Sequence, residues 1–234
     1  MPQPEFAISL GGSLIIPHES EVRDLYVCEF AVLLKERVDA AKQKTAVVTG
    51  GGRFTRLYQD ALRHQGVTDS YKLDEIGILP THTNALFVTD LLTEHGVRTQ
   101  YLHSLTTPLK RDYDAWVTGG TKPGQDTDGV LAELAGMLGI NQLINATNVA
   151  YVYERNREGK PDFNKPIKEL SWNQYFELMK NERQEPGKSL PFGITAARKV
   201  SQMGLSVIVL NGNDLDNLNQ AFAGKDFVGT TIHP

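Results

Sequence analysis

The chain has 234 residues, with 24 Lys and Arg against 28 Asp and Glu for a formal net charge of −4. That length suits one large domain or two closely joined lobes around a substantial core. The acidic balance argues against nucleic acid or an anionic membrane as the main partner, and the single cysteine, Cys28, excludes an intrachain disulfide or a cysteine metal cluster.

The predicted elements alternate. Residues 6–10 read as a buried strand, and 22–42 as a long amphipathic helix with Leu25, Cys28, Phe30, Val32, Leu33 and Val38 available for packing. A strand over 45–49 precedes a helix over about 55–65, and Gly66 with Asp69-Ser70 breaks the pattern. Residues 74–95 look helical, with Pro80 expected to kink or divide them. Strands follow near 99–102 and 115–118. A helix over 128–138 carries the stripe Leu131, Leu134, Ala135 and Leu138, with Gly139 as its stop and Asp126 or Thr127 as its N-cap.

After a strand over 142–146, residues 149–166 read as a polar connection with alternating aromatics. A short helix near 172–179 comes next. The charged segment 181–188, with Pro186-Gly187, reads as a surface loop. A helix near 195–203, a strand over 205–210, a helix over 214–223 and a strand over 229–232 complete the pattern. The expected fold is a three-layer α/β/α sandwich with a mainly parallel central sheet. No apolar run approaches membrane-spanning length and residues 1–5 lack a signal-peptide pattern, so a cytoplasmic protein is expected.

Three of these strands run straight into glycines: Gly11-Gly12-Ser13, Gly50-Gly51-Gly52-Arg53, and Gly119-Gly120-Thr121-Lys122-Pro123-Gly124. Glycine at the carboxyl end of a parallel strand lets backbone N–H groups approach an anionic ligand. Parallel sheets gather such ends along one edge, so the loops can share one ligand. Each loop alone also suits a tight turn; together they favour a phosphate site. In the third, Thr121, Lys122, Gly124 and Thr127 offer hydroxyl, ammonium and backbone donors at a helix N-terminus. Asp128 beside them reads as a favourable first-turn acid, or as a group that holds a cation or orients donors. Arg56, one turn beyond the second loop, could reach a phosphate there or be a solvated surface arginine. Neither a dinucleotide fingerprint nor a P-loop is present, and the six histidines show no metal-ligand spacing. Only His82 adjoins the suspected site; the others read as solvent-facing or turn residues.

Leu10-Gly11-Gly12-Ser13, Gly50 to Arg56, Asp74-Glu75-Ile76-Gly77, Gly119 to Asp128, Thr147-Asn148-Val149, Asn211 to Asp214 and Gly229 to Ile232 stand in the order of the amino acid kinase superfamily. Their spacing most resembles the uridylate kinases of its archaeal-like branch, over nearly the whole chain. The resemblance implies a kinase moving the γ-phosphoryl of ATP to UMP with Mg2+, in a homohexamer. It implies an acceptor-side lobe over about 1–140 and a nucleotide-side lobe over 141–234. The positions matching UMP contacts are Gly51, Asp74, Thr121, Lys122, Pro123, Gly124, Gln125, Asp126 and Thr127. Those matching ATP contacts are Ser9, Leu10, Gly11, Gly12, Ser13, Gly52, Arg56, Thr147, Asn148, Tyr153 and Asn156. Asp128 and Lys122 take the catalytic places, Asp128 as the site-organising acid and Lys122 in partial substitution for a missing cation. No protein metal cage is expected.

Against the pattern that resemblance implies, Ser9 stands in place of a lysine, Ala150, Asn156 and Gly193 in place of acids, and His82 in place of an arginine. The acceptor side is thus the better preserved. Restoring Ala150→Asp with Gly193→Asp is expected to raise turnover. The rival readings are a catalytically weak or inactive nucleotide- or anion-binding relative, and a kinase for another small acceptor.

Overall fold

The computed structural model describes residues 5–182 and 190–234; the surface loop expected over 181–188 lies, from 183 on, outside them. The strands are β1 (Phe6–Leu10), β2 (Thr45–Thr49), β3 (Thr99–Leu102), β4 (Ala115–Thr118), β5 (Gln142–Thr147), β6 (Val152–Arg155), β7 (Pro161–Ile167), β8 (Glu169–Ser171), β9 (Ser206–Asn211) and β10 (Gly229–His233). The helices are α1 (Gly12–Ile15), α2 (Asp24–Ala41), α3 (Gly52–His64), α4 (Ser70–Glu94), α5 (Thr127–Leu138), α6 (Trp172–Met179), α7 (Ile194–Gln202) and α8 (Leu215–Phe222).

Eight strands form one sheet in the order β3-β4-β2-β1-β5-β9-β10-β8. From β3 to β9 every pairing is parallel, and β10 turns antiparallel against β9. The sheet therefore continues through both sequence halves, with β1 beside β5 at the centre. β1 and β2 are buried along their whole length, as apolar strands covered on both faces must be. Phe6, Ile8 and Leu10 face one layer with α2, α4 and α8, where Phe6 stacks on Phe222 at 3.9 Å. Ala7, Val48 and Trp116 face the other layer with α5, α6 and α7, among them Leu131, Tyr175 and Val200. The mixed α/β sandwich expected from the alternation is present.

Three expectations need correction. Leu25 and Val32 do not pack inward: they are 73% and 40% exposed. The buried stripe of α2 is instead Val27, Phe30, Ala31 and Leu34, a 3.6-residue repeat that leaves Leu25 and Val32 on another face. Pro80 does not divide its helix; α4 runs unbroken from Ser70 to Glu94. Side chains serve the carbonyls around it, with Thr55 Oγ1 donating to Gly77 O at 3.2 Å and Thr81 Oγ1 to Ile78 O at 2.6 Å. The supposed connection over 149–166 contains an antiparallel ribbon of β6 and β7, whose alternating aromatics were its period-two signal.

Candidate active site

The first two glycine loops meet backbone to backbone where β1 and β2 end. A Cβ on Gly12 would stand 2.0 Å from Gly52 N and 2.6 Å from Gly50 C, and one on Gly50 would stand 2.5 Å from Gly12 N. No side chain fits there, so the pattern of glycines is a packing requirement. Gly50 N donates to Leu10 O at 3.0 Å, and Gly11 N to Ala146 O at 2.9 Å, which locks both loops to the strand ends. Asn84 of α4 donates to Gly50 O at 2.7 Å.

The third loop is held by α4 as well. Gly124 N donates to Asp74 Oδ2 at 2.8 Å and Gly120 N to Thr81 Oγ1 at 2.7 Å. The Gly120 carbonyl lies 2.7 Å from His82 Nε2, whose Nδ1 lies 2.8 Å from Tyr101 Oη. Burial, then the nearby His103, holds the His82 imidazole below its ordinary pKa, against the opposing pull of the Gly120 carbonyl. Asp126 caps α5, accepting from Gly129 N at 2.8 Å.

Asp128 is the charge at the centre. Its side chain comes from the first turn of α5 and is 9% exposed. Oδ1 accepts from Ser9 Oγ at 3.0 Å and Oδ2 from Gly193 N at 2.9 Å, tying β1, α5 and the start of α7 together. Burial, then the negative charge of Asp126, pushes its carboxyl up to about 7, although both hydrogen bonds favour the ionised form. A first-turn acid serving only the helix dipole would lie at the surface, so Asp128 is part of the site's construction. Gly193 fits this arrangement closely, because a Cβ there would fall 1.8 Å from Asp126 Oδ2. Any side chain at this position, as in Gly193→Asp, must first displace the Asp126 carboxylate.

Between these loops lies a cavity of about 530 Å³. Of the sequence-predicted residues it gathers Ser9, Gly11, Gly12, Ser13, Gly51, Gly52, Arg56, Asp74, Gly124, Gln125, Asp126, Thr127, Asp128, Thr147 and Asn148. Leu10 is a core side chain on β1. Thr121, Lys122 and Pro123 belong to the third loop outside the cavity lining; Thr121 Oγ1 donates to Gln125 at 3.2 Å, and the Lys122 charge acts on Glu133. Tyr153 packs on Phe163 at 5.0 Å in the β6–β7 ribbon. Asn156 closes that ribbon's turn, its Oδ1 accepting from Glu158 N at 2.9 Å and Lys160 N at 3.0 Å.

Arg53, next to the second loop, is paired with Glu19 at 2.8 Å. Arg56 has no ion-pair partner among the described residues and borders the cavity. Sequence reasoning missed Thr81 and Asn145, and named Gly193 only as the place of an absent acid. Asn145 had a legible signal, a polar side chain inside the apolar run of β5; it donates to Pro191 O at 2.7 Å.

No group of three or more His, Cys, Asp or Glu converges as a metal site among the described residues. The cavity carboxylates are Asp74, Asp126 and Asp128, and Asp74 is engaged by Gly124. Asp126 and Asp128, close enough for the charge of one to act on the other, are hard oxygen donors of the kind that suits a divalent cation carried mainly on phosphate oxygens.

A sheet with glycine loops at its parallel strand ends and a buried acid between them defines a phosphate-handling α/β protein. The chain belongs to the amino acid kinase family, whose sequence model matches residues 5–211. Among its curated relatives is a uridylate kinase of Methanobrevibacter smithii, 29% identical over 97% of this chain and 98% of that protein. Another, from Thermoplasma volcanium, is 32% identical over 96% of both chains. The crystal structure of the uridylate kinase from Archaeoglobus fulgidus superposes with a TM-score of 0.77 at 27% identity, covering 97% of this chain and 99% of that one.

Proposed function

We propose that the protein is a uridylate kinase, transferring the γ-phosphoryl of ATP to UMP to give UDP and ADP. The observation that carries this reading is the convergence of three glycine loops on one cavity around a buried acid, in a chain whose full-length relatives carry that name. Phosphoryl transfer needs no covalent intermediate. It requires two phosphate ends held in line and donors that stabilise the charge on the moving group. Gly12, Ser13 and Gly52 supply backbone donors on the ATP side, with Thr147 and Asn148 at the end of β5, while Gly11 gives its own N–H to Ala146 O and so fixes the loop there. Gly51, Asp74 and the third loop from Thr121 to Thr127 serve UMP, Lys122 and Pro123 among them. Leu10, Tyr153 and Asn156 support the nucleotide side from outside the cavity wall.

Asp128, through Ser9 and Gly193, holds the donor and acceptor sides in register. Asp126 and Asp128 would hold magnesium, which supplies charge neutralisation at the transferring group. No helix is long and apolar enough to cross a membrane among the described residues, which supports a cytoplasmic enzyme of pyrimidine nucleotide supply. Exposed apolar residues on α2, α3 and α4, including Leu25, Tyr58, Tyr71 and Leu79, support self-association, and we propose a homohexamer.

Calorimetric titration tests the acceptor assignment: UMP should bind more tightly than CMP, AMP or GMP, whereas equal affinity for all four contradicts it. Arg56→Ala should weaken binding by roughly 1.5–3 kcal/mol if the guanidinium makes a charge-assisted bond to phosphate. Unchanged affinity for both UMP and ATP would make Arg56 a surface residue.

A further inference from the structure

We infer that His82 and Tyr101 together set the orientation of the Gly120–Thr121 peptide, so that His82 is a positioning residue for the acceptor's phosphate. The acceptor role rests on the UMP reading above. Both backbone polar groups of Gly120 are taken by consecutive side chains of α4: its N–H by Thr81 and its carbonyl by His82. The start of the loop is pressed against the same turn, since a Cβ on Gly119 would fall 2.4 Å from Thr81 Oγ1 and 2.8 Å from His82 N.

The chemistry of the contacts fixes the ring. A carbonyl oxygen only accepts, so His82 Nε2 carries a proton and donates to Gly120 O. In the neutral ring Nδ1 must then accept, and the Tyr101 hydroxyl on β3 stands at 2.8 Å to donate to it. Two elements therefore select one tautomer. With the other tautomer, two lone pairs would face each other across 2.7 Å.

Peptide planarity carries this outward. The Gly120–Thr121 bond is trans, so the Thr121 N–H points opposite to the Gly120 carbonyl. With that carbonyl turned onto His82, the amide is turned to the other face of the loop. Among the described residues it donates to no protein acceptor. Gly120 lines the cavity, whereas its neighbour Thr121, and His82 and Tyr101, lie outside that lining. The pair thus preorganises an N–H donor at the cavity rim, where an anionic phosphate oxygen would complete it.

The test compares His82→Ala, His82→Gln and Tyr101→Phe by calorimetry with UMP, inorganic phosphate and ATP, and by nitrogen-15 NMR without ligand. His82→Ala should weaken UMP and phosphate binding about tenfold and ATP binding less than twofold. His82→Gln, whose Nε2 can reach the same carbonyl, should recover most of the loss, and Tyr101→Phe should fall between. In the unmodified protein the ring should be protonated at Nε2, and the Thr121 amide resonance should move in Tyr101→Phe. If His82→Ala does not fold, the other two variants carry the comparison. Wild-type affinity for UMP and phosphate in His82→Ala, or in Tyr101→Phe with an unmoved Thr121 amide, overturns the inference, as does a ring protonated at Nδ1 alone. Absence of UMP binding in the unmodified protein removes the UMP reading instead, and the phosphate titration then decides the role of His82.

Discussion

Asp128→Asn should make the protein more stable and less active at pH 8. The carboxyl is buried, lies near Asp126 and is pushed up to about 7, so the folded state bears the expense of its ionised form above that pH. The sign follows from linkage. Between its ordinary value and about 7 the folded protein binds a proton that the unfolded chain has released, so stability falls as pH rises through this window. Asparagine keeps the shape and removes the charge: its Oδ1 can accept from Gly193 N while its amide donates to Ser9 Oγ. One pKa unit corresponds to about 1.4 kcal/mol, so a gain of roughly 1–4 kcal/mol is expected at pH 8. Each kcal/mol raises the melting temperature by about 2–4 °C in a chain of this size. The gain should shrink towards pH 5. Turnover should fall at least about tenfold, or roughly 1.4 kcal/mol in the barrier, with UMP affinity little changed. Melting temperature and turnover measured on one preparation separate the roles, because a merely helix-stabilising acid would lose stability and keep its turnover.

Gly12→Ala should have the largest structural effect of any single methyl added to the chain's glycine loops. Its Cβ would meet the backbone of Gly52 and Gly50 at 2.0 and 2.6 Å, and a backbone pinned between two central strands has little room to yield. Overpacking typically costs about 1–3 kcal/mol, and a clash with backbone belongs at or beyond the upper end. Separating the two loops also moves the donors proposed for ATP, so nucleotide binding should be lost even where the fold survives. Gly224→Ala provides the control. Gly224 has φ +63° with nothing within 4 Å of an added Cβ, so its alanine variant carries local strain of about 1–2 kcal/mol and leaves binding intact. Denaturant unfolding with ATP titration on both variants checks the contrast; equal effects would remove the loop contact from the account.

The fold was legible because apolar strands and amphipathic helices alternate with clear breaks. The strands 6–10, 45–49, 99–102 and 115–118 stand in the structure where the sequence puts them. The helix stripe of α2 was less legible, since Leu25 and Val32 have the same chemistry as Phe30 and Leu34, and only tertiary packing selects between the two faces. The site was partly legible for a related reason. Glycines after strands reveal where the backbone must come close, and an acid at a helix start reveals a candidate charge. Which partners fill the remaining valences depends on long-range placement. Ser9 reaches Asp128 across 119 positions and Gly193 reaches it across 65. No local pattern reports such pairings. Gly193 is the clearest case: its missing side chain reads as a lost acid in sequence and as room for Asp126 in space.

The most direct test of the central claim is a coupled assay of ADP release with ATP and magnesium across UMP, CMP, AMP and GMP. The account predicts rapid ADP release with UMP and at least about tenfold less, or 1.4 kcal/mol in the barrier, with each of the others. No release with UMP above the rate without acceptor, or an equal rate with all four, would contradict it.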